Sequence, residues 1–351
     1  MPGVKTQPLD RVDQELLNLV QVDFPVVQRP FAFLGEHLGV PDDEVIARLG
    51  ALKKNRIIRQ ISAIFDTRAL GYRSSLVASR APADRVDEVA GVISNHPGVS
   101  HNYRRDHEFN IWWTIAVPPT SSLEEHVDAL HALAGAEQTR LMQTIRMFKI
   151  GVDLDMTGTR KMDAKTQLPA YRAPAKAGEP LDPTEILILR ELQEDIELTP
   201  APFAGMASRI GIAEGDVIAT HHRFVEEGRC RRFAAVLHHR QAGFVANAMS
   251  VWKVPEDRIA DVGMQMAGFA AVSHCYQRPT YPDWPYNLFG MLHGRTKADC
   301  DEAAGAIAAE TGISEHAMLY STKEYKKVRV RYYTEDFFDW EREHLALATG
   351  D

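Results

Sequence analysis

A histidine, a tyrosine and an arginine recur two residues apart in two places: Val99-Ser100-His101-Asn102-Tyr103-Arg104-Arg105 and Val272-Ser273-His274-Cys275-Tyr276-Gln277-Arg278. Histidine titrates near neutrality, so it can hold or hand over a proton. Arginine offers a planar fork of donors to an anion, and tyrosine an aromatic wall. In an extended strand side chains two apart share a face, so His101, Tyr103 and Arg105 point one way, as do their twins. Each copy then returns through an asparagine and an aromatic, Asn110-Ile111-Trp112-Trp113 and Asn287-Leu288-Phe289. On the first return Phe109, Ile111, Trp113, Ile115 and Val117 make an apolar face suited to lie under helices. Asn110, Trp112 and Thr114 take the other face. A register that sets them beside His101, Tyr103 and Arg105 makes that side of the hairpin a ligand face.

The elements that must hold these hairpins are also written twice. Leu16, Leu17, Leu19 and Val20 form a helical stripe behind Leu9-Asp10-Arg11-Val12-Asp13. Phe31, Leu34 and Leu38 mark a second helix ending at Gly39, and Pro41-Asp42-Asp43-Glu44 opens a third. Ile57 through Phe65 reads as a strand, which completes a winged helix-turn-helix. From Leu76 the order is strand, helix, the hairpin, helix, and a last strand around Arg146 to Val152. That is the βαββαβ order of a ferredoxin-like sandwich with one sheet face open, most simply covered by another such sheet.

After a polar, turn-rich stretch the first unit recurs. Leu181-Asp182 answers Leu9-Asp10, Pro202-Phe203 answers Pro30-Phe31, and Ile210-Gly211-Ile212 answers Leu38-Gly39-Val40. A repeat this long is a duplicated domain. The expected fold is α+β, a tandem duplication in which each half is a winged helix-turn-helix plus a ferredoxin-like domain. The expected boundaries are 1–65 and 66–153 for the first half, 154–180 for a linker, 181–237 and 238–334 for the second half, and 335–351 for a tail. The two halves are expected to form an internal dimer, sheet face to sheet face.

Composition narrows the function. The 351 residues carry a net charge of -8, which argues against wholesale nucleic-acid binding. The 3 cysteines, Cys230, Cys275 and Cys300, show neither metal-ligand nor disulfide spacing, and suit a reducing compartment. No basic-then-apolar leader and no membrane-length apolar run is present, so the expected location is the cytoplasm.

The helix-turn-helix beginning Leu9-Asp10-Arg11-Val12-Asp13, the strand through Ile57-Ile58-Arg59 and the ferredoxin-like domain resemble the Lrp/AsnC regulators and their ligand-binding domain. A sharper resemblance is to the siroheme decarboxylases, which share that architecture. It rests on His101 to Trp112, on His274 to Arg278 with Trp284-Pro285-Tyr286-Asn287-Leu288-Phe289 and His293, and on Arg146 to Asp153. The two halves resemble two subunit types fused, as in the versions that serve the haem of dissimilatory nitrite reductases. The resemblance implies loss of two acetate carboxyls from siroheme to give didecarboxysiroheme. The halves differ: the hairpin tip carries His107 in the first but Thr280 in the second, which also has the insertion Tyr281-Pro282-Asp283-Trp284, and His293 where the first has Ala116.

Siroheme is flat, bears iron and is edged with carboxylates, so its pocket needs aromatic walls, cations and a proton donor. His101, His274, His107 and His293 are the catalytic candidates. Tyr103, Arg105, Asn110, Trp112, Lys149, Tyr276, Arg278, Trp284, Tyr286, Asn287 and Lys327 are the substrate-binding candidates. The bland readings are that a lone strand histidine is structural, that Trp112 and Phe289 are sheet packing, and that Arg104 is a solvated charge. No resident metal and no cofactor beyond the iron tetrapyrrole substrate is expected; a histidine ligand to its iron stays open. His221-His222 and His238-His239 are adjacent pairs that diverge in direction, and are read as surface. The alternatives are a DNA-binding regulator of the Lrp/AsnC type and a tetrapyrrole carrier without catalysis. The first is opposed by Asp42-Asp43-Glu44 and Glu214-Gly215-Asp216, acids at the start of both candidate recognition helices. The expected partners are siroheme and no specific DNA or membrane, with room for further pairing of whole chains.

Overall fold

The computed structural model describes residues 9–150, 178–237 and 246–345. The first repeat runs α1 (Arg11–Val22), α2 (Pro30–Leu38), α3 (Asp42–Lys54), β1 (Ile58–Phe65), β2 (Arg73–Arg80), α4 (Val86–Asn95), β3 (Val99–Arg105), β4 (Ile111–Val117), α5 (Leu123–Ala134), β5 (Gln138–Met142) and β6 (Arg146–Ile150). The second runs α6 (Pro183–Leu192), α7 (Pro202–Ile210), α8 (Glu214–Glu226), β7 (Cys230–Leu237), β8 (Ala246–Trp252), α9 (Ile259–Ala267), β9 (Val272–Gln277), β10 (Leu288–Gly294), α10 (Lys297–Thr311) and β11 (His316–Lys327). A final helix, α11, spans Glu335–His344. Most of the expected linker, and the pair His238-His239, lie outside the described residues.

One compact unit holds both helix-turn-helix repeats together with residues 331–334. Its helices begin and end on local signals. Asp10 accepts from the Asp13 amide, and Asp182 makes a capping box with Glu185. Pro30 and Pro202 open α2 and α7, and Gly39 and Gly211 close them in the left-handed conformation that only glycine adopts freely. The two wings pair with each other, β1 antiparallel to β7. Phe24, Phe31, Phe203 and Phe233 form the aromatic centre. His221 is buried against Phe233 and Cys230, which corrects its reading as surface: it falls on the inward side of α8.

The other unit holds both ferredoxin-like domains and α11, built on one nine-stranded sheet in the order β5-β2-β4-β3-β11-β8-β10-β9-β6. The last strand of each half crosses over. β11 pairs with β8 of its own half through Tyr320 and then with β3 of the first half from Ser321. In the first half the equivalent strand is broken in two: β5 pairs with β2, and β6 pairs with β9 of the second half. Each half thus lends a strand to the other, β11 in the middle of the sheet and β6 at its edge, which the sequence reading did not anticipate. Val77, Val99, Ile111, Trp113, Ile115 and Val117 lie under α4 and α5, as the alternation implies. Phe109 does not: it precedes β4 and turns to the opposite side. There Ala78, Trp112 and Met142 of the first half share a core with Met249, Val251, Phe289 and Leu319 of the second, so the helix-free faces do pack on each other.

Residues 335–344, expected as tail, are helix because Phe337 and Trp340 fall on one side of α11 and pack on the first half's helix layer. A buried chain of hydrogen bonds fixes them. The Gly98 amide donates to His96 Nδ1 at 2.9 Å, so His96 Nε2 carries a proton and donates to His126 Nδ1 at 2.9 Å. His126 Nε2 in turn donates to Glu341 Oε1 at 2.9 Å. Burial lowers the pKa of both rings below the usual 6.5, for His126 against the pull of Glu341. As pH falls below that value the unfolded chain takes up protons before the fold does, so this stability is complete above it and lost beneath it. Thermal melts between about pH 7.5 and 5 should show falling stability, with a shallower slope in the variant H96F/H126F. Equal slopes in the two proteins would contradict the account.

Candidate active site

The register joins the residues of the repeated motif. His101 lies opposite Thr114 and Tyr103 opposite Trp112, and in the second half His274 lies opposite Met291 and Tyr276 opposite Phe289. The residues between them face the helices. Asn102 donates to the Ala90 carbonyl on α4, and Cys275 reaches the Gly263 carbonyl on α9. His, Tyr and Arg therefore share the helix-free face in both halves. The His101 and Tyr103 rings lie 6.3 Å apart, and the His274 and Tyr276 rings 6.1 Å. Arg278 sits over Tyr276 at 4.9 Å and Arg105 near Tyr103 at 6.0 Å.

The arginines are the most unusual members. Arg105 is 5% exposed and Arg278 8%, yet among the described residues neither makes an ion pair with a carboxylate; Asp106 acts on Arg105 only at longer range. Each donates one guanidinium nitrogen to a carbonyl of a crossing strand, Arg105 to Leu319 and Arg278 to Met142. The Nε of each is buried without a partner. Burial draws both down to about 10, so they remain cations at neutral pH. An uncompensated buried cation costs several kcal/mol. The arrangement is suited to an anion that arrives from outside.

Each histidine of the row is held through Nδ1. Ser100 Oγ lies 3.0 Å from His101 Nδ1 and 2.8 Å from Thr114 Oγ1. Ser273 Oγ lies 2.8 Å from His274 Nδ1 and 2.8 Å from His293 Nε2. The Nε2 atoms of His101 and His274 are left for a ligand. Burial, then His293 and Lys149, takes His274 down to about 4. Burial, then Lys327, lowers His101. Tyr103 is pushed up to about 12 by burial and by Glu324, so it stays a neutral donor. His107 takes the Phe109 amide on Nδ1, and its ring packs against Trp284 at 5.3 Å.

Several expected ligand contacts are used otherwise. Asn110 spans the Ala81 backbone with both amide atoms, and Asn287 does the same to Val254, so both pin the start of a strand. Trp112 is buried, with its indole N–H on the Phe109 carbonyl. Trp284 is 0% exposed and fills the space beside Phe109, Trp112 and Phe289; its Nε1 has no partner. Tyr286 lies half-buried against it. The insertion that carries Trp284 is clamped to β5 by Arg140, bidentate on Asp283, and by the Tyr281 hydroxyl on the Leu141 carbonyl. Lys149 is buried with its ammonium on the Phe269 carbonyl, whereas Lys327 is exposed opposite His101. Sequence reasoning gave no role to Ser100 and Ser273, although both precede the histidine in each copy of the motif.

Among the described residues no group of three or more His, Cys, Asp or Glu side chains is arranged to hold a metal ion, and no helix is long and apolar enough to cross a membrane. A groove of about 570 Å³ on the helix-turn-helix unit, lined by Phe24, Phe33 and Val225 among others, contains none of the candidate residues.

Known proteins match both kinds of domain in this chain. Residues 13–59 and 185–231 match the siroheme decarboxylase NirDL-like HTH domain, and residues 69–149 and 241–326 the AsnC-like ligand binding domain. The chain is 39% identical to a siroheme decarboxylase of Hydrogenobacter thermophilus, over 95% of this chain and 98% of that one. It is 46% identical to a siroheme decarboxylase beta subunit of Methanosarcina barkeri, which covers 43% of this chain and aligns over 99% of its own length. The crystal structure of the siroheme decarboxylase NirDL in co-complex with an iron-uroporphyrin III analogue superposes with a TM-score of 0.76 at 34% identity, covering 96% of this chain and 100% of that one. The two halves, each a helix-turn-helix and an AsnC-like domain, make the chain an internal pseudo-dimer, and the chain belongs to the siroheme decarboxylase family.

Proposed function

We propose that the chain removes two acetate carboxyls from siroheme and releases didecarboxysiroheme. The observation that carries this is the pair of buried arginines without a protein carboxylate, each beside a tyrosine and a histidine, in a member of this family. Arg105 and Arg278 take carboxylates of the macrocycle, and Tyr103, Tyr276 and Tyr286 supply aromatic walls. When an acetate carboxyl leaves as carbon dioxide, its bonding electrons stay on the methylene carbon and spread into the ring. One proton must then arrive for each carbon dioxide lost. His101 and His274 offer Nε2 for that step; His293 stands behind His274 through Ser273, and His107 lies against Trp284. No cofactor beyond the iron tetrapyrrole substrate is required. The free cysteines support a reducing, cytoplasmic location. β11 of the second half and β6 of the first already join the two halves within one chain. Anaerobic incubation with siroheme, with product masses followed over time, tests the reading. Two successive losses of carbon dioxide are expected; siroheme that stays bound and unchanged would make the protein a carrier.

A DNA-binding role is disfavoured by the same unit that suggests it. Arg48 on α3 is tied to Asp10, Asp13 and Glu44, Arg29 to Asp42, Lys53 to Asp195 and Arg231 to Asp66. Cations engaged by the protein's own acids release no counterions from a duplex. No salt-sensitive gel shift on a defined sequence is expected at nanomolar protein, and a saturating one would overturn this.

A further inference from the structure

We propose that Ser273 is a positioning residue that relays a proton from His293 to His274, so that the second half can replenish its acid and the first cannot. This rests on the siroheme decarboxylase reading and extends it to the path of the proton. Ser273 is 3% exposed, and its hydroxyl touches both rings at 2.8 Å, with the Met291 carbonyl farther away at 3.3 Å. A hydroxyl has one proton to give and can accept from two donors. With His293 Nε2–H donating to it, the Ser273 proton goes to the nearer acceptor, His274 Nδ1. That fixes His274 as the tautomer with its proton on Nε2, the atom left for substrate. In the first half Ser100 meets the Thr114 hydroxyl instead, and Ala116 stands where the second half has His293. That chain ends at a group that cannot release a proton at neutral pH.

The relay answers a chemical need. Burial keeps His274 neutral at pH 7, and a neutral ring that gave up its Nε2 proton alone would become an imidazolate. In the relay the bond to the carboxyl breaks, carbon dioxide leaves and the electron pair stays on the methylene carbon. The His274 Nε2 proton passes to that carbon, the Ser273 proton to His274 Nδ1, and the Nε2 proton of a His293 imidazolium to Ser273 Oγ. His293 ends neutral and His274 holds its proton on Nδ1; after product leaves, water protonates His274 Nε2 and the Nδ1 proton returns through Ser273 to His293. The charged group that bears on the pair is Lys149, which opposes a cation on His274; burial alone lowers His293, so the imidazolium that fires the relay is its minority form at neutral pH. Its neighbour across β8, Asn247, is neutral.

The test compares S273A, S273T, H293A and the double variant S273A/H293A. S273A and H293A should each lower kcat by about a hundredfold or more, with siroheme affinity by absorbance unchanged within about threefold. S273T, which keeps the hydroxyl, should retain most of the rate, and the double variant should be no slower than either single one. In the wild type kcat should fall as pH rises through the His293 pKa, and S273A should lose that limb. An S273A rate within about threefold of wild type, or losses that multiply in the double variant, would overturn the relay. Nitrogen NMR on substrate-free protein reads it without turnover: His274 should carry its proton on Nε2 in the wild type and lose that preference in S273A and H293A. An unchanged tautomer would sink the relay. A wild type that leaves siroheme intact would sink the functional reading instead, and the tautomer would still decide the relay.

Discussion

His274→Ala is expected to slow carbon dioxide release by about a hundred- to ten-thousand-fold while siroheme still binds. The ring presents Nε2 on the helix-free face, is held through Nδ1 by Ser273, and has no other role among the described contacts. Its loss removes the proton donor and little of the binding surface. His101→Ala is expected to leave a partial rate, because the halves differ: His101 is backed by Ser100 and Thr114, with no second imidazole. Each variant is assayed for siroheme by absorbance and for product by mass. If both keep the full rate the proton comes from elsewhere, with His107 next in line. If a variant loses binding and the iron band shifts, the residue is an iron ligand and the acid role is wrong.

The arginines should behave differently. Arg278→Met is expected to make the substrate-free protein more stable and siroheme binding weaker by about 2–5 kcal/mol, with the rate falling alongside. In the free protein the cation is buried with an unsatisfied Nε and no carboxylate, so an apolar side chain of similar length relieves a cost. In the complex that same cation is the clamp that orients the acetate. Arg105→Met should act in the same direction. A thermal melt and an absorbance titration on each variant separate the two effects. A Met variant that binds siroheme as the wild type does would remove the clamp from the account.

The hairpin was legible because strand alternation is strict: His101, Tyr103 and Arg105 had to share a face, whereas the register with Thr114 and Trp112, conditional in the sequence, came from the structure. The duplication was legible for the same reason that caps are, since Asp10 and Asp182, or Gly39 and Gly211, do the same local job twice. The crossing of the last strands was not, because a strand's own pattern says nothing about which edge it joins. β5 escaped because Gln138 to Leu141 are all half-buried and show no alternation. Lys149 and Lys327 stand at matching places in the repeat, yet the two strands pair one residue out of step: Lys149 lies opposite Cys275 and is buried, whereas Lys327 lies opposite His101 and is exposed. Asn110 reads as a ligand residue from alternation and Asn287 from the resemblance. Just before a strand begins, however, the nearest unsatisfied groups are those of the neighbouring backbone.

The central claim is that this chain turns an acetate of siroheme into a methyl group with a proton delivered by its own histidines. The most direct test is an anaerobic single-turnover reaction with siroheme in deuterium oxide, for the wild type and for H101A/H274A, read by product mass. The account expects two carboxyls lost in the wild type with one deuteron gained for each, and siroheme bound but intact in the double variant. Full-rate decarboxylation by the double variant, or a wild type that binds siroheme and leaves its mass unchanged, would contradict it.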